Sequence, residues 1–212
     1  MAGTVTRLQV QAKNKHRVNV YLDDQYAFSL ATMVALPLRR GQRLSDAEIA
    51  ALRSADAEQQ AYNRALEFLS YRARSQAEVE RYLVGKGADP DVVAGVLDRL
   101  RDAGLVDDTA FARAWVENRE AFQPRGVRRL RYELHQKGID PEIVTEAVDG
   151  IDEADIAYRA AQARARQMRS LDRETFRRRL GGFLARRGFE YDVAREVVDR
   201  LWHETQKPDA IF

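Results

Sequence analysis

Cysteine is absent from the 212 residues, which removes disulfide frameworks, thiolate metal sites and thiol nucleophiles together and fits a reducing compartment. Histidine is nearly absent too: His16, His135 and His203 fall in separate segments. None has a second metal-ligating side chain spaced to share its helix face, and His203-Glu204 lacks the second histidine of a zinc-protease helix. No apolar run approaches the roughly 20 residues that span a bilayer, and the N-terminus shows no secretory leader pattern. The expectation is a cytoplasmic protein with no membrane partner. Phosphate-binding loops, the dinucleotide fingerprint and the serine elbow are also missing. Gly85-Lys86-Gly87 falls where a helix ends, not where one begins. These absences point away from an enzyme, from a metal and from any cofactor.

What the chain does have is periodicity. Lys86-Gly87-Ala88-Asp89-Pro90, Lys137-Gly138-Ile139-Asp140-Pro141 and Arg187-Gly188-Phe189-Glu190-Tyr191 place the same glycine at spacings of 51 and 50 residues. Leu83, Leu134 and Leu184 keep the same phase, as do Leu100, Ile151 and Leu201. A regular period of this kind marks stacked supersecondary units. In the middle copy, Phe111, Ala114 and Trp115, then Val127, Leu130 and Leu134, then Ile143, Ala147, Val148 and Ile151 follow helical spacing, giving three helices per copy. The glycine ends the second helix in a left-handed conformation, the acid caps the third, and proline suits its first turn. This assigns Lys86, Lys137 and Arg187 to helix ends before any ligand. The third copy has Glu190-Tyr191 where the others have acid and proline.

Residues 4–30 alternate with period two. Leu8, Val10 and Ala12 form one face, Val18, Val20 and Leu22 the next, and Tyr26, Phe28 and Leu30 a third, with turns at Lys13-Asn14-Lys15 and Asp23-Asp24. The expected structure is a small antiparallel meander covered by the stretch 31–36 or by a helix opening at Ser45, where Glu48 completes a capping-box spacing. A further helix is expected from Ala55 to about Arg72, a capping box at Ser75 and Glu78, and a helix start at Asp107 or Asp108. The division is 1–54 for the meander and short helices, then 55–106, 107–151 and 152–212 for three three-helix repeats, with 207–212 as a tail. The class is mainly α: an elongated, curved array of tandem helix-turn-helix-like repeats, because each unit of such an array touches mainly its neighbours.

Net charge is only +2, but its distribution is uneven. Ten arginines lie between Arg159 and Arg187 against the acids Asp172 and Glu174, and Arg125, Arg128, Arg129 and Arg131 form a smaller group. Such excess favours an anionic partner, a phosphate backbone or an acidic protein surface. The residues expected to carry it are Arg125, Arg128, Arg129, Arg131, Arg164, Arg166, Arg177, Arg178, Arg179, Arg186 and Arg187. Phe176 and Phe183, interleaved among them, are expected in the core.

The run L-R-D-A-G-L-V-D-D-T-A-F-A at 100–112, followed by Arg125, Leu130, Leu134 and Lys137-Gly138-Ile139, resembles the RecX family, regulators of the RecA recombinase. The stretch V-x-V-Y-L-D-D-Q-Y-A-F-S-L at 18–30 is similar to the start of its longer members. The resemblance implies a non-enzymatic modulator in DNA recombination, repair and the SOS response; a monomer is expected. Such a protein binds in the groove of the RecA filament on single-stranded DNA and limits strand exchange, ATP hydrolysis and co-protease activity, with weak binding to bare DNA. The competing expectation is a helix-turn-helix-like DNA-binding module that acts without RecA.

Overall fold

The computed structural model describes residues 2–206; the tail expected at 207–212 lies outside them. Among the described residues four strands come first or nearly so: β1 (Gly3–Val10), β2 (Arg17–Leu22), β3 (Gln25–Ala31) and, after the short helix α1 (Thr32–Ala35), β4 (Arg43–Leu44). Nine helices follow: α2 (Asp46–Ser70), α3 (Gln76–Gly85), α4 (Pro90–Asp102), α5 (Asp108–Phe122), α6 (Val127–Gln136), α7 (Pro141–Ala147), α8 (Glu153–Gln167), α9 (Arg173–Arg186) and α10 (Tyr191–Thr205). The chain divides into two compact units, one up to Arg74 together with Glu78–Val106, the other Ser75–Ala77 together with the residues from Asp107 on.

In the first unit the strands form one antiparallel sheet in the order β3-β2-β1-β4. Val18, Val20 and Leu22 point inward as their alternation predicts and pack with Val5, Phe28, Leu30 and Leu44 beneath Ala35 and Ile49. Leu8 and Val10 pair with Val20 and Val18 and share their face, as expected, with Leu8 packed against the core; Ala12 lies beyond the end of β1. A register shift between Val5 and Arg7 brings Val5 onto this same face, where it is buried, while Val10, the last residue of the strand, is 50% exposed. Asp23 and Asp24 both adopt positive φ, 47° and 68°, in the two-residue turn between β2 and β3. The fourth strand escaped the sequence reading because Arg43-Leu44 is too short to show alternation.

The helix expected from Ser45 and the one expected from Ala55 are a single element, α2. It opens with the predicted capping box, in which Ser45 Oγ accepts from Glu48 N–H and the Glu48 carboxylate accepts from Ser45 N–H at 2.7 Å. Its middle carries Asp56, buried against the sheet, and its far half joins α3 and α4 in a core of Ala61, Ala65, Val79, Leu83, Val96 and Leu100.

The second unit holds two further three-helix groups. Phe111, Ala112, Val116, Leu130, Leu134, Ile139 and Val144 form the core of α5, α6 and α7. Ile156, Ala161, Phe176, Leu180, Leu184, Val197 and Leu201 form that of α8, α9 and α10. Gly87, Gly138 and Gly188 have φ of +80°, +77° and +86°. The amide after each glycine reaches back to the conserved-phase leucine, Ala88 to Leu83 O at 3.1 Å, Ile139 to Leu134 O at 3.2 Å and Phe189 to Leu184 O at 3.3 Å, the bond that closes a Schellman end. Asp89 and Asp140 cap α4 and α7, accepting from Asp91 N–H and Glu142 N–H. Helix α7 is shorter than its apolar spacing predicts. It stops at Ala147 because the chain reverses at Gly150, φ +72°, so Ile151 lies outside the helix and packs between the two cores of this unit.

Glu133, on α6, anchors the middle group. Its carboxylate accepts from Trp115 Nε1 at 3.1 Å, Arg119 Nε at 2.8 Å and Arg129 Nε at 3.1 Å. Burial alone would raise its pKa, but the hydrogen bonds from Arg119, Trp115 and Arg129 and the Arg119 charge outweigh it and hold the group below the usual glutamate value. A depressed carboxylate contributes stability above its unfolded-state pKa and loses it as pH falls through the folded value. Glu133→Ala is therefore expected to cost about 2 kcal/mol at neutral pH. Denaturant unfolding at acid pH should show the variant and the parent converging.

Candidate functional site

The eleven arginines singled out by charge all belong to the second unit. Three of them meet. Arg125 precedes α6, Arg164 sits in the last turn of α8, and Arg187 is the residue that ends α9. Arg164 and Arg187 both approach the ring of Phe183, at 4.9 and 4.6 Å from its centroid. Arg187 Nη1 also donates to Pro124 O at 3.0 Å, tying it to the loop that carries Arg125. The Nε of Arg125 is shielded from solvent and has no acceptor.

Among the described residues no carboxylate pairs with Arg125, Arg164 or Arg187. Burial first, and then the charges of Arg125 and Arg164, hold the Arg187 guanidinium below the ordinary arginine value. A cluster of like charges, two of them over one aromatic ring, is a place where a phosphate or carboxylate would be stabilised by charge-assisted hydrogen bonds. Phe183, expected in the core, is only half-buried because this is the ring the guanidinium groups cover; Phe176 is fully buried as expected.

The loop before α6 is held in place by small-residue contact. Gly126 N–H donates to Arg187 O at 3.0 Å, and a methyl at Gly126 would overlap Gly188 O and Phe189 N. The free amide of Val127, at the start of α6, is met by Glu153 Oε1 at 3.0 Å. The same device recurs at α3, whose first amide, Gln76 N–H, donates to Asp108 Oδ1 at 2.8 Å, while Ser75 Oγ donates to Lys137 O at 2.6 Å. Asp107 is thus the residue that caps α5, accepting from Ala110 N–H, and its neighbour Asp108 caps a different helix. Burial raises the Asp108 pKa, with the Gln76 amide opposing and the Asp107 charge adding to it.

Three other arginines, Arg128 of α6 with Arg177 and Arg178 of α9, line a cavity of about 860 Å³ beside α9 and α10. Arg129 is engaged by Glu133. Arg131, Arg166, Arg179 and Arg186 are exposed and enter neither arrangement. Reasoning from charge density counted Arg173 among the ten without singling it out, and it missed Arg195, which lines the same cavity, and Arg74. Like Arg125, Arg74 carries a shielded Nε without an acceptor, and it lies 4.0 Å from the Phe68 ring. The 51-residue spacing between Arg74 and Arg125 was the available signal. Among the described residues no group of three His, Cys, Asp or Glu is placed to hold a metal ion, and no helix is long and apolar enough to cross a membrane.

Comparison with known proteins places these features in a family. Residues 3–45 match the regulatory protein RecX N-terminal domain, and residues 61–100, 107–148 and 151–198 match the first, second and third RecX three-helix domains. The chain is 34% identical over 208 residues to the regulatory protein RecX of Bacillus subtilis (strain 168), covering 96% of this chain and 79% of that protein. It is 43% identical over 149 residues to that of Mycobacterium sp. (strain KMS), covering 66% and 81%. A crystal structure of regulatory protein RecX superposes with a TM-score of 0.77 at 29% identity, covering 93% of this chain and 99% of that one.

Proposed function

This chain belongs to the RecX family, and on that premise we propose that it is a non-enzymatic, monomeric, cytoplasmic regulator of the RecA recombinase. It binds the filament that RecA forms on single-stranded DNA and limits strand exchange, ATP hydrolysis and co-protease activity. The observation that supports this reading best is the unbalanced cluster of Arg125, Arg164 and Arg187. Like charges drawn together without a carboxylate repel one another, and a phosphodiester or a filament carboxylate beside them would offset that repulsion.

The remaining expected arginines, Arg128, Arg129, Arg131, Arg166, Arg177, Arg178, Arg179 and Arg186, supply a wider positive field that steers the chain toward the same anionic surface. The test is a titration into RecA on single-stranded DNA, following ATP hydrolysis and strand exchange. Inhibition is expected well below one copy per recombinase, and absence of inhibition at equimolar protein would end the proposal. Arg164→Ala, a change on an exposed side chain, should leave thermal stability within about 0.5 kcal/mol and raise the half-inhibitory concentration several-fold. Salt-sensitive duplex binding with no effect on RecA would support the helix-turn-helix alternative instead.

A further inference from the structure

The third three-helix group departs from the register of the other two at two places. Where α3 has Glu80-Arg81 and α6 has Arg131-Tyr132, one residue after the matched Val79 and Leu130, α9 has Gly181-Gly182. Where Asp89-Pro90 and Asp140-Pro141 start α4 and α7, α10 starts with Glu190-Tyr191. Each departure weakens the helix it belongs to. Glycine inside a helix is disfavoured, and Glu190 makes no side-chain cap where Asp89 and Asp140 both do.

All four departing residues line one cavity, the one of about 860 Å³ beside α9 and α10. Gly181 contributes empty space: a side chain there would find no atom within 4 Å of its Cβ. Tyr191 contributes an aromatic ring that is 74% exposed, with the Arg195 guanidinium 6.0 Å from its centroid. The floor is apolar, from Phe189, Ala194 and Val198, and the rim carries Arg128, Arg173, Arg177 and Arg178.

We propose that this cavity receives an unpaired base of single-stranded nucleic acid, stacked on Tyr191 with its flanking phosphates held by the rim arginines. An exposed aromatic ring beside guanidinium groups is the combination that binds single strands. The two carboxylates in the lining, Glu174 and Glu190, separate this occupant from an acidic peptide. They would repel a peptide carboxylate, whereas the amino groups of bases donate hydrogen bonds to such acceptors. A duplex offers phosphates but keeps its bases stacked and paired. The proposal deepens the filament reading and rests on it only for the source of the strand.

The experiment uses the full chain, without RecA, and a short labelled single-stranded oligonucleotide read by fluorescence anisotropy, alongside an abasic strand of equal length. The intact strand should bind about tenfold more tightly than the abasic one, the magnitude of one base stacked on an aromatic side chain. Tyr191→Ala should erase that difference and Tyr191→Phe restore it. Gly181→Leu should erase it too while leaving the thermal midpoint unchanged or raised, because it replaces a helix glycine and meets open space. Equal binding of the intact and abasic strands, no binding of either, wild-type behaviour of both Tyr191→Ala and Gly181→Leu, or displacement by polyglutamate as effective as by the oligonucleotide would each overturn the assignment. RecA inhibition measured on the same samples separates the two readings. A parent that inhibits RecA but binds base and abasic strands alike refutes the cavity alone; base-dependent binding without RecA inhibition refutes the filament reading alone.

Discussion

Asp56→Ala is expected to lower the stability of the first unit by about 3 kcal/mol, enough to shift the melting of a domain of this size by roughly 10–20 °C. Asp56 is 6% exposed on a helix whose neighbours look like ordinary surface. Its carboxylate accepts from Ala31 N–H at the end of β3, from both terminal nitrogens of Arg17 on β2 at 3.3 and 3.1 Å, and from Gln60 Nε2 at 2.7 Å. Arg17 Nη2 continues to Ser29 O at 2.8 Å. Truncation leaves a partly buried guanidinium and a buried amide without their acceptor, and it is this orphaning that carries the large effect. Asp56→Asn keeps one acceptor and should lose about half as much. Hydrogen exchange at the Ala31 amide locates the damage: its protection should fall in both variants. A loss below about 1 kcal/mol for Asp56→Ala would mean that the network is not what fixes α2 on the sheet.

Gly126→Ala is expected to destabilise the second unit by about 2–3 kcal/mol, although alanine is ordinarily the smallest of insults. The added methyl would overlap backbone, Gly188 O and Phe189 N, and a backbone neighbour cannot swing aside as a side-chain tip can. Relief requires separating the α5–α6 loop from the α9–α10 turn, which also breaks the Gly126 N–H to Arg187 O bond and draws Arg125 away from Arg187. Trp115 and Trp202 both lie in the second unit, so tryptophan fluorescence reads its unfolding directly. Gly126→Ala should therefore lower the fluorescence midpoint and weaken RecA inhibition together. Gly181→Ala, which enters open space, should do neither. Normal stability in Gly126→Ala would show that the close approach at this junction is not a constraint.

Much of this fold could be read from the chain because its signals are local. A glycine ends a helix through its own φ, and an aspartate caps the two or three residues after it, so Gly87, Gly138, Asp89, Asp140 and the Ser45–Glu48 box were all legible. Alternation at Val18, Val20 and Leu22 was legible for the same reason. What escaped depended on partners far away in sequence. Asp56 meets Arg17 across 39 residues, Asp108 meets Gln76 across 32, and Gly126 meets Arg187 and Gly188 across some sixty. Composition around Asp56 or Gly126 gives no hint of these meetings. The β1 bulge escaped differently, since one inserted residue puts Val5 on the same face as Leu8 although the two are out of alternation.

The arginine excess was visible from charge alone, but its arrangement was not. Charge counting placed Arg129 and Arg164 in one class, yet Glu133 engages the first and, among the described residues, no carboxylate pairs with the second. It also passed over Arg195, which owes its place to Tyr191 one helical turn before it. Tyrosine in place of proline in the third copy is legible in the sequence as a departure from the repeat; the cavity beside it is not.

The most direct measurement is the affinity for RecA filaments on single-stranded DNA, taken as a function of salt, for the parent chain and for the double variant Arg125→Ala, Arg164→Ala. Neither side chain makes an ion pair among the described residues and Arg125 Nε lacks an acceptor, so the fold should survive the change. A loss of about tenfold or more is expected at low salt. The log–log salt dependence should also be shallower by about 1.4, the share of two lost phosphate contacts to a single strand. An unchanged affinity with an unchanged slope, on a variant that melts like its parent, would contradict both expectations.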